Sequence, residues 1–173
     1  MNYPHKNIRL KPEHYKGQGW YFVTLCCAER RRIFDSPKEA FWVIDELGRA
    51  ASRRGFGVYA YSVMPDHLHA LAHGAAVTSD LLKFMKDFKQ TTAYHFERSH
   101  HAVLWQKKYY EHILRTKESV DSVAAYIWMN PVRKGLCKSP EEYPFSGSMI
   151  IEWKPIRPCE ELWTPPWKAK APT

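Results

Sequence analysis

The sequence predicts an α+β fold of ferredoxin-like pattern, β-α-β-β-α-β, in which an antiparallel sheet carries helices on one face and a further C-terminal helix follows. Three observations predict it. Short runs of β-branched and aromatic residues alternate with longer stretches of helical periodicity. Two of the strand-like runs meet at the turn pair Pro65-Asp66, as in a hairpin. The order of the segments is the split βαβ order, repeated once.

The first strand is Trp20 to Cys27 (WYFVTLCC). Ser36-Pro37 then offers an N-cap and a first-turn proline, and Ala40, Ile44, Leu47 and Ala51 carry a helix to Arg53. Glycines 55 and 57 punctuate its end. Val58 to Met64 and His67 to His73 are the hairpin strands. Thr78 or Ser79 is expected to cap a helix from Asp80 to about Arg98, with Leu81, Met85, Phe88 and Thr92 on one stripe. Val103 to Arg115 reads as a long fourth strand. Lys117 to Met129 is the last helix, with Val120, Val123, Ala124 and Ile127 inward, and Pro131 ends or kinks it near Asn130. The two helices between strands are expected on one face, leaving the other open for a site or a partner.

A chain of 173 residues with 45% hydrophobic and 25% charged side chains suits a single globular domain. We expect a basic arm over 1–18, the folded domain over 19–150, and an irregular arm rich in Pro and Trp over 151–173. No apolar run is long enough for a membrane span. The polar start, Met1 to Lys11, lacks the apolar core of a secretory signal, so the expected location is cytoplasmic. The four cysteines, Cys26, Cys27, Cys137 and Cys159, form no CxxC pair and read as reduced thiols. The formal charge of +8 points to a polyanionic partner, although a basic surface alone also fits.

Two features carry candidate chemistry. His67 and His69 flank Leu68 in a strand, so both imidazoles project from one face and could share a divalent metal, while Leu68, Ala70 and Ala72 pack beneath helices. Read as structure alone, the pair is two exposed or hydrogen-bonded histidines on a half-buried strand. Tyr126 and Asn130 lie one helical turn apart on the flank of the Val120/Val123/Ile127 stripe. Read alone, they are an edge tyrosine and a helix stop.

Together the two features resemble a known family. His67-Leu68-His69 resembles the histidine–hydrophobe–histidine motif. The run Tyr126-Ile127-Trp128-Met129-Asn130-Pro131-Val132-Arg133-Lys134-Gly135 resembles the tyrosine helix of the REP-associated tyrosine transposases, which belong to the single-tyrosine transposases of bacterial insertion sequences. Val63-Met64-Pro65-Asp66, Trp105-Gln106 with Tyr110-Glu111-His112, and Tyr143-Pro144-Phe145-Ser146 match in the same order, from about Gly19 to Ser148.

The resemblance implies that Tyr126 is the nucleophile and that His67, His69 and Asn130 bind Mg²⁺ or Mn²⁺. Insertion-sequence members often carry Gln where this chain has Asn130, and the shorter amide must approach the metal more closely. It implies metal-dependent nicking and joining of single-stranded DNA through a 5′-phosphotyrosine, on repeats that fold into hairpins, by a monomer or a homodimer. No nucleotide cofactor is implied. Lys107, Lys108, Arg115, Arg133 and Lys134 are candidate DNA contacts. So are Lys83, Lys86 and Lys89, which read equally as a solvated helix face. Glu111 and His112 are candidate accessory groups. The alternative is a ferredoxin-like module that binds single-stranded nucleic acid without cutting it; a structural metal protein lacks the ligand spacing.

Overall fold

The structure, a computed structural model, describes residues 10–152, 163–166 and 168. Lys6 and Arg9 of the N-terminal arm lie outside the described residues. So do Trp153, Pro155, Pro158, Cys159, Trp167 and Pro172 of the C-terminal arm.

The elements run β1 (Trp20–Cys26), α1 (Pro37–Arg54), β2 (Phe56–Met64), β3 (His67–Gly74), α2 (Leu81–His100), β4 (Tyr110–Ile113), α3 (Val120–Trp128), α4 (Asn130–Arg133) and β5 (Ser146–Gly147). The sheet order is β4-β1-β3-β2-β5, and every pairing is antiparallel. The first four strands give the expected ferredoxin-like arrangement. The fifth, pinned by Ser146 Oγ–H donating to Ser62 Oγ at 2.8 Å, is too short and polar to read from sequence.

Strand alternation sorts the side chains. Tyr21, Val23, Leu25, Leu68, Ala70 and Ala72 join α1 and α2 in the main core, with Phe56 stacked on Phe84 at 4.8 Å. Phe22, Ala60 and Leu71 point the other way. A bulge between Val58 and Ala60 shifts the register of β2, so that Val58 packs under the helices while Ala60 faces the opposite side.

That opposite face departs from expectation: it is not open. Val123, Ala124, Tyr126, Ile127 and Trp128 of α3 pack on Phe22, Ala60 and Leu71, and Trp163 joins them. The six consecutive residues Val123–Trp128 are all buried, because an apolar run without a polar side must be covered all round.

The long fourth strand also shrinks to four residues. Leu104 and Trp105 turn into the main core, where Trp105 Nε1–H donates to Thr92 Oγ1 at 2.8 Å. Lys89 Nζ donates to the carbonyls of Gln106 and Lys107, and before the strand proper the segment keeps only an isolated antiparallel bridge, Trp105 opposite Cys27. Finally, the cap of α2 is Asp80, whose carboxylate accepts Lys83 N–H, and not Thr78 or Ser79. Ser79 instead donates to Gly55 O at 2.7 Å and accepts from Ala76 N–H, tying α1 to the α2 approach.

Candidate active site

β3 is the middle strand, and it carries both histidines on the face that α3 covers. Their Nε2 atoms stand 3.1 Å apart. The far nitrogen of each ring is held: His67 Nδ1 contacts Asp66 Oδ1 at 2.5 Å, and His69 Nδ1 contacts Thr24 Oγ1 at 2.8 Å. Thr24 is opposite His69 in the β1–β3 register, which is why the two meet. Where each ring donates from Nδ1–H, both Nε2 lone pairs face one point. Two lone pairs so close repel unless a proton or metal cation lies between them.

The spacing fits a metal. Two neighbouring ligands of an octahedral ion at about 2.1 Å would be about 3.0 Å apart. Outer partners on the far nitrogen are the usual way a ligating imidazole is oriented, and the Asp66–His67 pair is of the carboxylate–histidine kind. Burial holds His69 well below the ordinary imidazole pKa, with the charges of His67, Arg133, Lys168 and Arg30 adding to it, so the ring stays neutral and able to ligate. Asp66 is held below the usual carboxylate range by its hydrogen bond to His67, against the opposing effect of burial. Among the described residues, no third His, Cys, Asp or Glu joins the pair.

Tyr126 reaches the same cluster from α3. Its ring lies 6.2 Å from that of His69 and 6.2 Å from that of Phe22. Pro131 has no N–H to continue the ladder, and the helix breaks at Met129 before α4. The carbonyl of Tyr126, in the last turn of α3, accepts from Asn130 Nδ2 at 3.2 Å and Arg133 Nη2 at 2.7 Å, side-chain partners of the kind that helix-end carbonyls need. Asn130 is buried, and with its amide N–H turned to the helix its Oδ1 is the atom a hard cation takes. The Arg133 guanidinium also lies over the Tyr126 ring, 4.2 Å from its centre.

The remaining sequence candidates separate. His112 pairs with Phe22 in the β1–β4 register and so shares the face of the histidines; its Nε2 contacts both Glu118 oxygens at 2.9 Å. Glu111 pairs with Val23 and lies on the opposite face, where Tyr15 Oη–H donates to it at 3.3 Å. That removes Glu111 from an accessory role at this centre. Lys107, Lys108, Arg115 and Lys134 are exposed, as are Lys83 and Lys86, whereas Lys89 is engaged with the carbonyls before β4.

Three participants escaped the sequence reading. Thr24 is legible in the sequence only as the one aliphatic hydroxyl in an apolar strand. Asp66 reads in the sequence as a turn residue within the Val63-Met64-Pro65-Asp66 block, without a role at the site. Trp163 was assigned to an irregular arm, yet its ring lies 5.1 Å from Phe22, 5.2 Å from Tyr126 and 6.0 Å from His112, and its Nε1–H donates to Glu118 Oε1 at 2.9 Å.

The chain is 22% identical, over 148 residues, to the REP-associated tyrosine transposase of Escherichia coli (strain K12), covering 81% of this chain and 87% of that one. It is 23% identical, over 158 residues, to an uncharacterised protein of Haemophilus influenzae, covering 73% and 88%. A solved structure of a REP-associated tyrosine transposase bound to a REP hairpin shares the fold with a TM-score of 0.70 at 18% identity, covering 98% of this chain and all of that one. No helix among the described residues is long and apolar enough to cross a membrane. Residues 16–130 match the family described as "Transposase IS200 like", and a match over more than half of its length shows that this chain belongs to the IS200-like transposases.

Proposed function

We propose that this transposase nicks and rejoins single-stranded DNA through a covalent link to Tyr126, with His67, His69 and Asn130 holding Mg²⁺ or Mn²⁺, on DNA that folds into hairpins. The observation that carries the reading is the meeting of two Nε2 atoms 3.1 Å apart with the Tyr126 ring 6.2 Å from His69. The chemistry of the donor set, two imidazoles and an amide oxygen, fits a divalent ion. Such an ion, when bound, neutralises charge on the scissile phosphate and fixes it for in-line attack.

The chain's own groups do the rest. Tyr126 Oη attacks phosphorus and gives up its proton; the O–P bond forms as the bond to the departing 3′-oxygen breaks, and that oxygen takes a proton. The product is a 5′-phosphotyrosine and a free 3′-hydroxyl. Because the link is still a phosphodiester, a second 3′-hydroxyl can reverse the step and join strands without ATP. Arg133, stacked on the phenol ring, keeps positive charge beside the side chain whose oxygen attacks. Exposed Lys107, Lys108, Arg115 and Lys134 supply phosphate contacts that position DNA without reading it. The REP hairpin in the solved relative supports a hairpin as the substrate form.

The test is a labelled hairpin oligonucleotide incubated with the full chain and Mn²⁺ or Mg²⁺. A covalent protein–DNA adduct is expected with either the wild type or a variant outside the site, and none with Tyr126→Phe, which should still bind the hairpin. Adduct formation that survives Tyr126→Phe removes this tyrosine from its role, and binding without any adduct in the wild type leaves a non-catalytic module.

A further inference from the structure

Six residues along the strands from Cys26 and His67, the same face ends in a second aromatic group. Trp20 of β1 lies directly opposite His73 of β3, with ring centres 4.5 Å apart at 38°. Tyr59, the residue at the bulge of β2, meets the Trp20 ring edge-on at 5.4 Å. All three side chains are partly exposed. Tyr59 is held as a fixed wall, since its hydroxyl donates to Asp121 Oδ1 at 2.9 Å. The indole N–H of Trp20 and both ring nitrogens of His73, in contrast, have no hydrogen-bond partner among the described residues. Water reaches these edges in the free protein, and a ligand with hydrogen-bonding edges can take its place.

Charge sits beside the rings. The chain leaves β4 next to Trp20, with Leu114 N–H donating to Trp20 O at 2.9 Å. The next residues include Arg115 and Lys117, both exposed, and neither side chain forms an ion pair among the described residues. Flat rings with open polar edges, flanked by unpaired cations, form the combination that takes a nucleobase by stacking and its phosphates by charge.

We propose that Trp20, His73 and Tyr59 form a stacking platform for an unpaired nucleobase of the DNA on which this transposase acts, with Arg115 and Lys117 holding the adjoining phosphates. The inference rests on the DNA reading above. Four residues of β3 separate His69 from His73, about 13 Å at the rise of a strand. The base therefore lies a few nucleotides from the phosphate that Tyr126 would attack, in the single-stranded flank and not in the stem. Stacking tolerates any base, so the platform measures the presence of an unpaired extension more than its sequence.

The test uses the full chain in EDTA and two probes, a hairpin oligonucleotide with a short unpaired extension and the same hairpin with a blunt end. Trp20→Ala and His73→Ala are each expected to weaken binding of the extended hairpin by about tenfold and to leave the blunt hairpin unchanged. Trp20→Phe, which keeps a π face, should recover most of the affinity. An abasic site at one position of the extension should reproduce the loss in the wild type and add nothing to it in Trp20→Ala. His73→Ala guards against a folding defect at Trp20, because it removes a partly exposed partner that belongs to neither buried core cluster. Equal binding of the extended hairpin by wild type and both variants overturns the platform, and so does an equal loss on the blunt probe. The separate adduct reaction with Mn²⁺ isolates the two readings: an adduct with no role for Trp20 or His73 sinks the platform alone, whereas platform effects without any wild-type adduct sink the nicking chemistry alone.

Discussion

Thr24 sets the state of the more buried histidine, and replacing it by valine tests the metal reading without touching a ligand. Valine keeps the shape and the strand propensity of threonine but cannot contact His69 Nδ1, now 2.8 Å from the hydroxyl. His69 is 5% exposed, so water has little access to replace the lost partner. A buried polar group left unsatisfied costs about 1–3 kcal/mol, and the metal-free protein should lose about that much in urea unfolding. Loss of the outer partner of a ligating imidazole typically costs about 10–100-fold in metal affinity, equivalent to about 1.4–2.8 kcal/mol. Calorimetric titration with Mn²⁺ reads this directly, and Thr24→Ser, which restores the hydroxyl, should recover most of it. If Thr24→Val binds Mn²⁺ with wild-type affinity, the hydroxyl does not govern the ring and the argument from paired lone pairs fails.

Two further perturbations test the surroundings. His69 has its pKa depressed by burial in the folded chain, so the unfolded chain takes up the proton first. Its contribution is complete above the unfolded value near 6.5 and is lost as pH falls below it, at up to about 1.4 kcal/mol per pH unit; urea midpoints in EDTA should show this acid slope in the wild type and a shallower one in His69→Gln. At Gly74, an added Cβ would stand 2.3 Å from the backbone oxygen of Gly17, which has no flexible end to withdraw. Gly74→Ala should therefore cost about 3 kcal/mol, the upper range for overpacking, and a melting temperature unchanged from wild type would refute that contact.

Much of this arrangement was legible in the residues, and the exceptions have physical causes. The hairpin was readable because Pro65-Asp66 interrupts two runs of opposite-face alternation, and the projection of His67 and His69 follows from that alternation alone. The fate of Val103 to Tyr109 was not, because an apolar Leu104-Trp105 pair looks the same whether it enters a sheet or a core. The covering of the histidine face was encoded in the unbroken apolar run of α3, but the amphipathic stripe of Val120, Val123 and Ile127 drew attention to one side only. The approach of Trp163 to Phe22 depends on a contact more than a hundred residues away along the chain, and local pattern carries no trace of it. Thr24 became visible only through register, which pairs it with His69.

The placement of the two imidazoles on the central strand has a consequence for how this enzyme can vary. Both neighbours of β3 clamp its backbone by ladder hydrogen bonds, so the gap between the two nitrogens is set by the stiffest part of the molecule. The segment before β4, the turn after it and the stretch after α4 carry Lys107, Lys108, Arg115 and Lys134, the exposed cations that would meet DNA phosphates, and these can be exchanged without retuning that gap. A change of target is then a matter of rewriting the periphery around an unaltered hub.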